Sequence, residues 1–177
     1  MPGQRPDGGR ARVAGATALL ESMQPGDDLE DFAARFTTCR IPREEWTHHA
    51  HLAVGLWHVD RYGPDEALER LRSGIRRLND SHGTPNSATR GYHETITRAY
   101  VQLLSEFLES CPTAMPLTQR VARLLASPVA DKDALLRFYS RELLMSSQAR
   151  AVWAEPDILP VSMVPLLASA GEGPDPS

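Results

Sequence analysis

Between Leu29 and Trp153 apolar side chains recur every three or four residues, and proline and glycine separate the segments that carry this period. That spacing gathers apolar groups on one face of an α-helix, and no run shows the strict alternation of a half-buried strand. A chain of this kind folds by packing helix against helix, and its 177 residues are enough to bury a real core. The sequence therefore predicts an all-α single domain, a bundle of about six helices over residues 15–169. The Gly- and Pro-rich segments 1–14 and 170–177 have little to bury and are expected to be disordered tails.

Local signals divide the bundle. Asp27-Asp28-Leu29-Glu30 has the spacing of a capping box with Asp27 as N-cap, opening a short helix that turns Leu29, Phe32 and Phe36 inward. Pro42 suits the first turn of a second helix, with Glu44 and Glu45 at its positive end and Trp46, Ala50, Ala53 and Trp57 as its stripe. Gly63-Pro64 ends it. A third helix over 64–79 turns Leu68, Leu71, Ile75 and Leu78 inward and Arg70, Arg76 and Arg77 outward, before a polar turn at 80–87. The longest is expected over 88–109, with the stripe His93, Thr97, Tyr100, Leu104 and Phe107. Pro112 and Pro116 close it. Shorter helices are expected over 117–126, 132–139 and 141–153, the last capped by Ser140. Pro156, Pro160 and Pro165 oppose a contiguous helix beyond, although 161–167 is apolar enough to pack down.

Several function classes are unsupported. A net charge of −4 gives no reason to expect nucleic acid or an anionic membrane as partner. Lys132 is the only lysine, which reads as the codon bias of a high-GC bacterial genome more than as a sign of anion binding. No apolar stretch is long enough to span a bilayer, and the start of the chain lacks the apolar core of a signal peptide, so a cytoplasmic location is expected. Cys39 and Cys111 form no Cys-x-x-Cys pair and are expected as free thiols, without a sulfur-based zinc site. No P-loop, Gly-x-Gly-x-x-Gly, Gly-x-Ser-x-Gly or His-Glu-x-x-His occurs. Glu45-x-x-His48 lacks the second Glu-x-x-His that a ferritin-like di-iron centre requires.

Chemistry points to one window. All six histidines lie between His48 and His93, and histidine both ligates metals and moves protons near neutral pH. In a continuous helix His48 and His51 stand about 60° apart, roughly opposite the Trp46/Trp57 stripe and with Gly55 between them in azimuth. His93 falls on a buried stripe, where a polar ring needs hydrogen-bond partners or a metal. Glu94 lies about 100° from it, better placed to orient a ligand or accept a proton than to share the ion.

The leading expectation is a small metal-dependent enzyme acting on a small anionic organic substrate. His48, His51 and His93 would hold one divalent transition metal, Zn, Fe or Cu. Glu94 would serve as base, Tyr92 as proton donor and Thr97 as a hydrogen-bonding neighbour. Arg90, Arg98, Arg141 or Arg150 would clamp a carboxylate or phosphate. One alternative is a metal-free ligand-binding or interaction module with a buried His/Glu network. Another is a metal-free acid–base enzyme using His93 and Glu94. The plain structural readings stand beside them: a solvated face for His48 and His51, a satisfied core ring for His93, a surface pair for Glu94 and Arg98. The expected partner is a small molecule, with neither nucleic acid nor membrane; oligomeric state is left open.

Three motifs carry a resemblance: Trp46-x-His48-x-x-His51-Leu52, Gly91-Tyr92-His93-Glu94-Thr95-x-Thr97, and Tyr139-Ser140 with Ala149-Arg150 and Pro156-Asp157. In these the chain resembles a group of small, uncharacterised bacterial all-helical proteins, over about two-thirds of its length. The resemblance implies common descent and a helical fold, but neither substrate nor mechanism; His49 is not part of the pattern.

Overall fold

The computed structural model describes residues 29–168, and among them there are helices and no strand. The Asp27 cap and both expected tails lie outside the described residues. Five helices make the bundle: α1 (Leu29–Thr37), α2 (His48–Tyr62), α3 (Pro64–Ser81), α4 (Glu94–Ser110) and α5 (Leu117–Leu125). After them the chain turns through 3-10 turns at Pro128–Ala130 and Ala134–Arg137 and three short helices, α6 (Arg141–Leu144), α7 (Ser147–Ala151) and α8 (Met163–Ala168).

The centre of the bundle is α2. Every residue from Leu52 to Val59 is buried, the pattern of a helix covered on all sides rather than on one stripe. Helices α1, α3, α4 and α5 all pack on it. Gly63 ends α2 at φ +76° while its amide bonds the Val59 carbonyl at 2.9 Å, and Pro64 then opens α3. Ala67, Leu71, Gly74 and Leu78 form the buried face of α3. At Gly74 the Phe36 ring of α1 lies so close that a Cβ would meet its Cζ at 2.5 Å, so the absent side chain is what lets the two helices touch.

Four helix boundaries differ from the sequence expectation. Pro42 opens only a single turn, and α2 starts at His48 because Thr47 is extended and takes the Ala50 amide on its hydroxyl at 3.2 Å. The long helix starts at Glu94, not at 88. Gly91 stands at φ +81° beneath the Pro85 carbonyl, and the Asn86 side chain knots residues 83–93 onto α3. Its Oδ1 accepts from Asn79 Nδ2 (3.0 Å) and the Tyr92 amide (3.1 Å), while its Nδ2 donates to the Arg76 carbonyl and Asp80. Segment 132–139 is held as a 3-10 turn, with Phe138 and Tyr139 driven fully into the core. Segment 141–153 splits in two, since Ser146 caps a fresh helix as Ser140 does.

The C-terminal third is tied to α4 by side chains. Thr95 Oγ1 donates to the Val152 carbonyl and accepts the Ala154 amide, both at 2.9 Å. Gln102 donates to the Val161 carbonyl at 2.7 Å, and Glu106 accepts the Met163 amide at 2.8 Å. Among the described residues no helix is long and apolar enough to cross a membrane, and both cysteines are free.

Candidate functional site

The start of α2 faces the first turns of α4 across a cavity of about 340 Å3. Leu52, Gly55, Leu71, Ile75, Ile96, Val101 and Leu104 make its apolar wall, and Trp46, His48, His51, Thr97 and Tyr100 bring the polar atoms. Trp46 sits just before α2, so it does not oppose the histidines as a continuous helix would require. It stacks on His51 instead, with ring centroids 3.9 Å apart, and on Phe36 at 5.3 Å. Gly55 lines the same space, and a Cβ there would meet Leu104 Cδ1 at 2.8 Å.

The two histidines are held neutral. His51 Nδ1 lies 2.7 Å from the Thr47 carbonyl; a carbonyl only accepts, so Nδ1 carries the proton and Nε2 is a bare lone pair. Burial drives the His51 pKa down to about 4, the Thr47 carbonyl opposing and His48 adding. His48 is lowered first by burial, then by the neighbouring charges of His49 and Lys132, against the Ala130 carbonyl and Asp131. Both rings also stand in the first turn of α2, where the helix dipole disfavours positive charge. Two polar atoms among these lining residues are buried without a hydrogen-bond partner: His48 Nε2 and Trp46 Nε1. Each such atom is costly unless something bonds it. Tyr100, its ring 5.6 Å from His48, is pushed up by burial and by Asp131 and Asp133, so it stays a phenol.

His93 is elsewhere in function. It is the N-cap of α4, extended at φ −139°, and its Nδ1 accepts the Ile96 amide at 3.3 Å. Its Nε2 donates to the Leu144 carbonyl at 2.8 Å. Both ring nitrogens are spent, so His93 offers no lone pair to an ion as folded. Among the described residues no group of three or more His, Cys, Asp or Glu side chains is arranged to hold a metal. A three-histidine centre of His48, His51 and His93 does not fit this geometry. Two of the three remaining rings also have structural work: His58 Nδ1 donates to the Val54 carbonyl at 2.8 Å, and His82 Nε2 meets the Ile41 carbonyl at 2.8 Å.

Glu94 is equally committed. Arg72 grips it with two bonds, Nε to Oε2 at 2.9 Å and Nη2 to Oε1 at 2.5 Å, and Tyr92 donates to Oε2 at 2.9 Å. Arg72 holds the carboxyl below its usual range, burial opposing and Tyr92 helping. A carboxylate so satisfied is a poor base. Tyr92 is pushed up to about 12 by burial and then by its bond to Glu94, which suits a fixed donor rather than a proton source. Of the three expected chemical residues only Thr97 reaches the cavity, its hydroxyl donating to the His93 carbonyl at 2.9 Å.

The four arginines do not converge. Arg98 stacks on Trp153 with its guanidinium 4.7 Å from the ring centroid, rather than pairing with Glu94. Arg141 lies 3.6 Å from Asp133 on the surface, and Arg90 is exposed in the 83–93 loop. Arg150 donates to the Gly91 and Tyr92 carbonyls at 2.9 and 3.2 Å. Sequence reasoning missed Trp46 and Tyr100 as lining residues, because both fall on stripes that read as core, and it missed Arg72, whose partner lies 22 positions away. Set against known proteins, the chain matches no family model, no curated protein and no solved structure.

Proposed function

We propose that this protein is a metal-free binding module for a small, uncharged, mostly apolar organic molecule, held in the cavity between α2 and α4. One observation carries the reading: an apolar cavity of about 340 Å3 has two buried polar side-chain atoms without partners among its lining residues, His48 Nε2 and Trp46 Nε1. Beside them stands His51, whose Nε2 is a ready acceptor. A cavity of about 150 Å3 lined by aliphatic side chains is known to hold benzene, so this one has room for about two fused rings or a short branched chain. A ligand with one polar end would bond the imidazole or indole nitrogens and bury the rest against Ile75, Ile96 and Leu104.

Charge is disfavoured at both signs. Bringing a carboxylate or ammonium into this wall costs solvation that two neutral imidazoles do not return. Where the bound molecule carries an acidic hydrogen, His51 Nε2 would accept its hydrogen bond and leave the proton on the ligand, since burial keeps the ring neutral.

Titration with 2-naphthol tests the reading, followed by tryptophan fluorescence because Trp46 lines the space. Neutral 2-naphthol is expected to bind one to one and at least about tenfold more tightly than 2-naphthoate, a difference of about 1.4 kcal/mol. Ile96→Trp, which fills the cavity, is expected to abolish binding while the helices persist. Equal affinity for the two probes, or unchanged binding in Ile96→Trp, would reject the proposal.

A further inference from the structure

A second pocket, of about 430 Å3, opens where the 83–93 loop meets α3 and α7, away from the cavity just described. Two arginines line it, Arg76 from α3 and Arg150 from α7, together with Ser87 and Tyr92 of the loop. Neither arginine has a carboxylate within ion-pair distance among the described residues. Arg35, Arg70, Arg72 and Arg120 by contrast each have one at 2.9 Å or less. No carboxylate lines the pocket. Asp80 is engaged by the Asn86 amide, and Glu94, whose carboxylate feels the charge of Arg76, is already held by Arg72 and Tyr92.

Both cations are held in place before anything binds. The Arg76 guanidinium rests 4.6 Å from the Tyr92 ring centroid, a cation–π contact that fixes the plane of the fork. Arg150 spends Nη1 on the Gly91 and Tyr92 carbonyls, which leaves Nε and Nη2 to donate elsewhere. The loop beneath them is itself fixed, through Asn86 and the positive φ of Gly91. Ordering cost on binding is therefore low.

We infer that this pocket is a binding site for the phosphate group of a small phosphomonoester, with Arg76 and Arg150 as its two cationic donors and Ser87 as a neutral one. Two fixed guanidiniums match a group that carries nearly two negative charges and three acceptor oxygens near neutral pH. A carboxylate, with one charge and two oxygens, is satisfied by a single fork and leaves the second arginine idle. The volume exceeds what bare phosphate fills, and Ala88, Ala151 and the edge of Tyr92 supply an apolar bed for the organic part.

Calorimetric titration of the full chain at constant ionic strength tests this, with phenyl phosphate, inorganic phosphate and benzoate as probes. Phenyl phosphate is expected to bind one to one, inorganic phosphate more weakly, and benzoate at least about tenfold more weakly. The Arg76 side chain rests on the Tyr92 ring and its carbonyl bond to Asn86 does not depend on the side chain, so Arg76→Gln keeps the fold and is expected to weaken phenyl phosphate at least about tenfold, with 2-naphthol binding unchanged. Arg150→Lys keeps the charge and loses the fork, and an intermediate loss is expected. The inference fails if wild type gives no phenyl phosphate binding at millimolar concentration, if benzoate binds as well, or if Arg76→Gln and Arg150→Lys both bind like wild type.

Discussion

Arg72→Ala is expected to lower the stability of the fold by about 2–4 kcal/mol. Breaking a fully buried ion pair from one side costs about 3–5 kcal/mol, because the other charge is stranded. Here the Glu94 side chain is 10% exposed and that of Arg72 27%, so water recovers part of the loss. What remains after the substitution is a nearly buried carboxylate with Tyr92 as its one close donor. The sign of the pH response follows from the lowered Glu94 pKa. The wild-type ion pair contributes fully above the ordinary glutamate range near 4.5, and its contribution is lost as pH falls through the lower folded value. In Arg72→Ala burial instead raises the Glu94 pKa, so protonation relieves the stranded charge and the stability gap to wild type narrows in acid. Urea midpoints for both proteins at pH 7 and pH 4 measure this. The double variant Arg72→Ala with Glu94→Gln should recover part of the loss, since it removes the unpaired charge. A midpoint for Arg72→Ala that matches wild type at pH 7 would show that Glu94 does not depend on Arg72.

His93→Ala is expected to cost a comparable amount, about 2–4 kcal/mol. That is the sum of a lost N-cap, about 1 kcal/mol, and a Leu144 carbonyl left without its buried donor, about 1–3 kcal/mol. The two parts separate experimentally. His93→Asp restores an acceptor for the Ile96 amide but cannot donate to Leu144, so it should return only about 1 kcal/mol of the loss. Chelator should leave the melting temperature of wild type and variant alike, because neither His93 nitrogen is open to an ion. A chelator-sensitive wild-type melt would restore the metal reading. Acid adds a further signature. Burial lowers His48, His51, His58 and His93 in the folded chain. Their neutral-ring stabilisation is complete above about pH 6.5 and is lost as pH falls through the folded values, for His51 down to about 4. The variant should show a shallower dependence in that window by one histidine.

The helical period was legible because it follows from where apolar side chains must go; Leu71, Leu78 and the Gly63-Pro64 break stand where the sequence puts them, while Leu68 and Ile75 are half-buried beside the Ala67 and Gly74 contact. The boundaries were less so. At 42–47 two N-terminal signals compete, Pro42 and Thr47, and the choice is decided by Thr47 capping Ala50 while Trp46 reaches Phe36. His93 illustrates the harder case. On a helix continued back to residue 88 it is an interior ring in want of a ligand; as an N-cap its two nitrogens are both explained, and the cause is a loop fixed by Asn86 and Gly91. Grouping His48, His51 and Thr97 in one site was an expectation of the sequence, built around His93 rather than around facing stripes. The cavity between them was not, because a stripe says which side chains face inward and not whether they fill the space.

The stitching of the last third of the chain onto α4 has a consequence in time. Helices α6, α7 and α8 have four, five and six residues, too few to persist alone in water. The bonds that hold this region reach far back, 51 positions from Leu144 to His93 and 59 from Ala154 to Thr95. Such ties return nothing until long loops have closed, so this region orders only on a finished α4 and is the first to let go. Amide hydrogen exchange should find Val152 and Ala154 opening at a lower free energy than Leu103 and Leu104 in α4. Equal protection would mean that residues 29–168 melt as one unit; unequal protection makes residues 141–168 a late-closing clasp over the earlier helices.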